Sequence, residues 1–229
     1  MTDTVIPTPP PTLLPVRGGG QFPVRRIYCV GRNFADHAAE MGASVDRGNP
    51  VFFHKPADAI VAGSGEVPYP PGTRDLHHEV ELVVALGRDA AGVVPVDGAS
   101  ALVFGYGVGL DLTRRDLQAR AKAKGLPWDT AKGFDHSAPA SELVPAADAG
   151  DLGPRLLWLD VNGQRRQQSP LAGMVFSVDE VIHELSKLYA LKAGDLVFMG
   201  TPSGVAALQP GDAFHAGIEG LVELRGRIA

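Results

Sequence analysis

Two glutamates one residue apart, Glu79 and Glu81, sit inside the run His77-His78-Glu79-Val80-Glu81-Leu82-Val83-Val84. In an extended chain alternate side chains share a face, so both carboxylates point one way while Val80, Leu82 and Val84 point the other. Neighbouring carboxylates in an apolar strand repel each other and lose solvation, and a hard divalent cation relieves both costs because it prefers oxygen ligands. A third carboxylate, Asp111, closes the run Phe104-Gly105-Tyr106-Gly107-Val108-Gly109-Leu110-Asp111, whose three glycines share its face. Glycine weakens a strand, so three on one face imply close approach by another backbone or a ligand. For Glu-x-Glu alone a solvated strand face is the bland alternative. With Asp111 added, the three residues make an all-oxygen set suited to Mg²⁺ or Mn²⁺ with open positions for water and substrate.

Other residues could work on a molecule held there. His37 and Glu40 are three apart in a short helical stretch, on one face, where a carboxylate would fix the imidazole's tautomer and raise its basicity, as activating a water requires. An exposed surface pair is the alternative. Lys132 lies in the mostly uncharged loop Trp128-Asp129-Thr130-Ala131-Lys132-Gly133-Phe134. Arg115 and Gln118 are one turn apart on the segment after Asp111, within reach of a ligand on its metal. The turn Gly200-Thr201-Pro202-Ser203-Gly204 offers backbone N–H groups and a hydroxyl to an anion.

The elements that must position these residues are mostly strands. Short apolar runs separated by Gly/Pro punctuation predict an α+β fold that is mainly β with few helices. Strands are expected at Arg26 to Val30, Val51 to Phe53, His78 to Leu86, Leu102 to Leu110, Leu156 to Val161, Asp195 to Met199 and Leu221 to Arg227. Asn162-Gly163 predicts a tight hairpin, since both residues tolerate positive φ. Three helices are expected. One is the short Asn33 to Met41, flanked by Gly31 and Gly42 and expected to order on ligand binding. The second runs from Arg114 to Lys124 with Thr113 as N-cap and Gly125 as its stop. The third, Val178 to Ala190, carries the capping-box pair Ser177 and Glu180 and an apolar face of Val178, Val181, Ile182, Leu185 and Leu188.

The 229 residues suit one domain, and 45% hydrophobic residues can bury a sizeable core. A net charge of −5 with no dominant basic face speaks against a nucleic-acid partner. The one cysteine, Cys29, cannot form an internal disulfide and reads as a buried strand residue in a reducing compartment. The first twenty residues carry five prolines and end in Gly18-Gly19-Gly20, without a signal-like apolar core, and no run approaches the ~20 residues of a membrane helix. A cytoplasmic protein away from membranes is expected, with residues 1–25 a loosely ordered Pro/Gly-rich tail and 26–229 the catalytic domain.

In this order the segments resemble the fumarylacetoacetate hydrolase family. The matching stretches are Tyr28 to His37, Leu76 to Leu82, Leu110 to Gln118, Lys124 to Trp128 and Gly200 to Val205, nearly the whole chain from residue 26. The resemblance implies a mixed β-sandwich or roll, a homodimer, and Mg²⁺ or Mn²⁺ held by Glu79, Glu81 and Asp111. It assigns His37 and Glu40 as the catalytic dyad, Lys132 as the active-site lysine, and Arg115, Gln118 and Thr201 as substrate contacts. Arg32 and Lys55, in matching stretches, join that set. The segments Phe22 to Tyr28 and His54 to Ala59 look most like the bacterial fumarylpyruvate hydrolases of gentisate-type aromatic degradation. The implied substrate is a small 2-oxo or diketo acid, hydrolysed at a carbon–carbon bond to fumarate and pyruvate. Oxaloacetate decarboxylation, isomerisation or decarboxylation of dienoic diacids, and a non-catalytic metal-binding role are the alternatives. The His37–Glu40 pair speaks against the last, because a structural cation needs no base.

Overall fold

The computed structural model of the chain describes residues 4–36, 40, 46, 48 and 50–229, with the backbone of 37–39 inside the helix Ala35–Glu40. Its largest sheet has eight strands, seven of them in the order Phe52–Lys55, Arg26–Val30, Asp195–Phe198, Val80–Leu86, Val103–Leu110, Ala138–Ala140 and Ile60–Ala62. The eighth, Val144–Pro145, also pairs with Val103–Leu110. Arg26–Val30 runs parallel to Asp195–Phe198, and Val80–Leu86 runs antiparallel to both its neighbours. A five-stranded sheet has the order Gln164–Pro170, Leu156–Val161, Ala213–Ile218, Val222–Ile228 and Gly65–Val67. The architecture is mostly sheet with few helices, as expected.

Side-chain alternation explains the layering. Val80, Leu82, Val84 and Leu86 bury one face of the central strand against Leu157, Leu159, Ala216 and Leu224 of the five-stranded sheet. Val83 and Ala85 turn to the opposite face, where Ile27, Cys29, Leu196 and Phe198 make a second core. Glu81 belongs by alternation to that second face. Cys29 is fully buried there, and burial pushes its thiol pKa well up. It packs in that core.

The glycine run answers the question of what approaches it. A Cβ at Gly105 would collide with Val144 O, and one at Gly107 would meet Ser141 Oγ at 3.1 Å and Glu142 O at 3.3 Å. A Cβ at Gly109 would lie 2.7 Å from the Phe198 ring and 2.9 Å from Val83. The cleared face admits a neighbouring backbone and a core ring, not a ligand.

Several expectations need correction. The segment read as a loose tail forms a hairpin, Leu13–Pro15 with Gln21–Pro23, and buries Leu14 and Phe22 in the second core. The strand predicted from His78 begins at Val80. The second helix starts at Arg115 with Arg114 as N-cap, and Thr113 Oγ1 donates instead to Asp111 O at 3.1 Å. The third helix, Val178–Leu188, has its capping box, but Leu188 is 63% exposed because it lies in the last turn, beyond the packed face. The predicted turn is present, with Asn162 at φ 51° and Gly163 at φ 77° joining Leu156–Val161 to Gln164–Pro170.

Candidate metal centre and active site

Glu79, Glu81 and Asp111 are all buried, and each offers a carboxylate oxygen within 4.8 Å of the others. The ladder brings them together. Asp111 N donates to Glu79 O at 2.8 Å, directly extending the pairing of Val80 with Leu110. Glu81 is opposite Gly109, two residues before Asp111.

Three cations surround the carboxylates. Lys132 Nζ donates to Glu79 Oε2 at 2.7 Å and to Asp111 Oδ2 at 2.5 Å. Arg115 Nη2 reaches Glu79 Oε1 at 2.5 Å, and its Nη1 donates to Gln118 Oε1 at 2.6 Å. Lys55 Nζ donates to Leu112 O at 3.0 Å and Lys132 O at 2.5 Å. The same nitrogen lies 2.8 Å from Asp111 Oδ1, an ion pair between two fully buried side chains. Lys55 thus braces Asp111 and the backbone at Leu112 and Lys132.

The sequence argument held that carboxylate repulsion calls for a metal. The structure changes that reasoning, because Glu79 and Asp111 pair with Lys55, Lys132 and Arg115, so that repulsion is met by protein cations at two of the three carboxylates and the six formal charges sum to zero. Burial works against the Lys132 ammonium, but Asp111 and Glu79 outweigh it and raise its pKa. Burial outweighs Asp111 at Lys55 and lowers its pKa. Glu81 has no ion pair among the described residues, only the Gly200 N–H at 2.8 Å. Burial, then Asp111 and Glu79, hold its carboxyl well above the usual carboxylate range. An under-compensated carboxylate beside two others, all three with oxygens within 4.8 Å of one another, makes a donor set that fits a hard divalent cation of the Mg²⁺ or Mn²⁺ type.

The turn that serves Glu81 depends on glycine. Gly200 has φ 90°, and a Cβ there would lie 2.8 Å from Asn33 Cβ, so only glycine lets its N–H reach Glu81. Asn33, fully buried, accepts from Phe176 N and donates to Phe176 O and Met199 O, tying the segment after Val30 to this turn. Glu40 also meets the turn, accepting the Gly204 N–H at 3.2 Å. The His37 side chain lies outside the described residues, as do 41–45, 47 and 49, so the expected dyad and its closure fall there. Thr201 is buried and accepts from Gln167 Nε2 at 2.8 Å.

Arg32 is half-buried. Burial, then Arg115 and Arg32, lower the pKa of Lys122, whose Nζ lies 5.2 Å over the Trp128 ring. The three side chains thus share a positive environment. Beside Lys132 opens a cavity of about 350 Å³ lined by Phe53, His54, Leu126, Trp128 and Asp129. The sequence reading missed Lys122, Asn33 and Gln167. For Gln167 no signal existed: a glutamine among arginines and glutamines in a strand is not marked out by type, and its inward turn shows only in the packed structure.

A family model described as fumarylacetoacetate hydrolase, C-terminal, matches residues 26–229. The mitochondrial oxaloacetate tautomerase of Rattus norvegicus is 44% identical over 204 residues, 89% of this chain and 91% of that protein. An Escherichia coli oxaloacetate tautomerase is 42% identical, over 87% of this chain and 90% of its own. Among solved structures, the Pseudomonas aeruginosa fumarylpyruvate hydrolase in complex with Mn²⁺ and pyruvate is 43% identical, with a TM-score of 0.94 over 99% of both chains. Among the described residues no helix is long and apolar enough to cross a membrane.

Proposed function

Because the chain belongs to the fumarylacetoacetate hydrolase family, we propose that it hydrolyses the carbon–carbon bond of an acylpyruvate, with fumarylpyruvate as its favoured substrate. The observation that carries this reading is the convergence of Glu79, Glu81 and Asp111 with Lys132 between two of them. A bound Mg²⁺ or Mn²⁺ would supply Lewis-acid stabilisation of negative charge on the 2-oxo acid's oxygens. The protein cluster is formally neutral, so the loaded site would carry about two positive charges, a match for a dianionic substrate.

Each side chain then has a task. Arg115, Gln118 and Thr201 bind and orient the 2-oxo acid end. The cavity lined by Phe53, Leu126 and Trp128 receives the acyl group, and Lys122 and Arg32 set a positive potential for its carboxylate. His37, oriented by Glu40, takes a proton from water as the water's oxygen bonds to the distal carbonyl carbon. The adjoining carbon–carbon bond breaks and its electron pair passes to the pyruvate portion, where Lys132 balances the developing charge. A proton delivered to that carbon gives pyruvate, and the acyl half leaves as fumarate.

A second reading places oxaloacetate in the same site, because the Rattus norvegicus and Escherichia coli relatives are oxaloacetate tautomerases. That reaction moves a proton and needs no attacking water. The room beside Lys132 favours the longer acylpyruvate. Measuring fumarate and pyruvate release from fumarylpyruvate, with and without EDTA, tests the proposal. A chain that interconverts oxaloacetate tautomers but releases no fumarate would overturn it. The homodimer and the place in gentisate-type degradation belong to the same proposal, and gel filtration tests the first.

A further inference from the structure

The strand Gln164–Pro170 is mostly exposed, yet Gln167 within it is 1% exposed. A buried primary amide is costly unless its hydrogen-bonding capacity is met. Here four contacts meet it. Val80 N lies 3.1 Å from Oε1, His78 Nδ1 lies 2.9 Å from Oε1, and Thr201 Oγ1 and Pro202 O each lie 2.8 Å from Nε2. The amide can sit only one way round, because Val80 N–H must donate and Pro202 C=O must accept. Two consequences follow. His78 is the donor at Nδ1, consistent with burial lowering its pKa and keeping the ring neutral. Thr201 Oγ1 is an acceptor from Gln167, so its own proton has to point elsewhere, and no described residue accepts it.

Gln167 thus clamps two segments of the site from the second sheet. One is His78 to Val80, which flanks Glu79. The other is Thr201 to Pro202, which directly follows the Gly200 N–H on Glu81. We infer that Gln167 is the positioning residue that makes the Thr201 hydroxyl a fixed hydrogen-bond donor beside Glu81, selecting ligands that present an acceptor oxygen, such as a carboxylate or enolate. This rests on the 2-oxo acid reading of the site. The two amide hydrogens on Gln167 Nε2 leave Thr201 no acceptor on that side, so the hydroxyl proton is held for the ligand. Donation to a charged oxygen is the stronger kind of hydrogen bond.

Gln167→Glu isolates the effect. The introduced carboxylate still accepts from Val80 N and His78 Nδ1, but it cannot donate to Thr201 and instead draws the Thr201 proton to itself. Calorimetry with Mn²⁺ alone, then with oxalate added to the Mn²⁺ protein, reads the outcome. Gln167→Glu and Thr201→Val should each weaken oxalate binding by about tenfold or more, since one hydrogen bond to a charged group is lost. The double variant should be no weaker than the weaker single one, and Thr201→Ser should bind oxalate like the parent. A brace with no positioning role would give losses that multiply. Unchanged oxalate affinity in Gln167→Glu, or multiplying losses, overturns the inference alone. A parent protein that takes Mn²⁺ but no oxalate overturns the 2-oxo acid reading and the inference with it. Should Gln167→Glu fail to fold, NMR of the parent serves: the Gln167 side-chain amide protons should be protected and shift when oxalate binds, and exchange at the free rate would overturn the clamp.

Discussion

Lys132 Nζ lies 2.5 Å from Asp111 Oδ2 while the same carboxylate is approached at its other oxygen by Lys55 at 2.8 Å. Removing one partner of a buried pair leaves a charge without compensation, which costs about 3–5 kcal/mol. Lys132→Met should therefore lower the melting temperature of the metal-free protein markedly. Mn²⁺ at a hundredfold excess over its Kd should return about 2.7 kcal/mol. A melting curve for Lys132→Met that overlays the parent's without metal would remove Lys132 from the charge balance.

The raised pKa of Glu81 gives a pH dependence with a definite sign. A carboxyl held above its unfolded value contributes stability that is fully present below the unfolded pKa and is lost as pH rises through the folded one. The metal-free protein should thus lose stability on moving from mildly acidic pH to pH above that folded value. Mn²⁺ requires the ionised form, so binding expels a proton and affinity climbs by up to about tenfold per pH unit below the folded pKa. Calorimetry in two buffers of different ionisation enthalpy measures the proton. Equal apparent heats in both, or proton release that persists in Glu81→Gln, would contradict the assignment.

If His37 activates water, His37→Ala should cut acylpyruvate hydrolysis by about 10²–10⁴. Mn²⁺ affinity should stay near the parent's, because the imidazole is not a ligand. Turnover of oxaloacetate, which needs no attacking water, should fall less. Equal losses in both reactions would leave the base without a role of its own.

The glycine face offers a test independent of activity. Gly105→Ala pushes a methyl into the Val144 backbone, which cannot yield as a flexible side chain could, and overpacking of this kind costs about 1–3 kcal/mol or more. Gly98→Ala meets nothing within 4 Å and should be neutral or slightly stabilising. Denaturant midpoints for the two variants should separate clearly. Similar midpoints would mean that the strand pairing of Val103–Leu110 with Val144–Pro145 is slack.

The strands could be read because alternation and turn chemistry are local: Val80 to Leu86 shows its two faces in its own residue order, and Asn162-Gly163 announces its turn. The carboxylate set was legible for the same reason, since a strand-end aspartate and a Glu-x-Glu pair keep their spacing wherever the sheet goes. What stayed hidden depends on distant partners. Nothing near Lys55 in the chain says that it will end against Leu112 and Lys132 carbonyls. Gln167 acquires its meaning only when the second sheet delivers it to residues 78–80 and 201–202. Residues 13–23 were misjudged because their prolines and glycines describe flexibility of the free chain, whereas Leu14 and Phe22 find a core to enter.

The pairing of Glu79 and Asp111 with Lys55, Lys132 and Arg115 bears on how such a protein comes into being. A centre whose acidic groups had to await their ion would leave the newborn chain unfinished, as metal-nucleated domains are. Here the ammonium and guanidinium groups travel in the same polypeptide, so the sheet can close and the chain can be stored, shipped or diluted before any ion is found. Loading becomes a late and reversible exchange with whichever hard cation the surroundings offer. Chelation should therefore silence the protein without unravelling it, and re-addition of Mn²⁺ should restore it without a refolding delay.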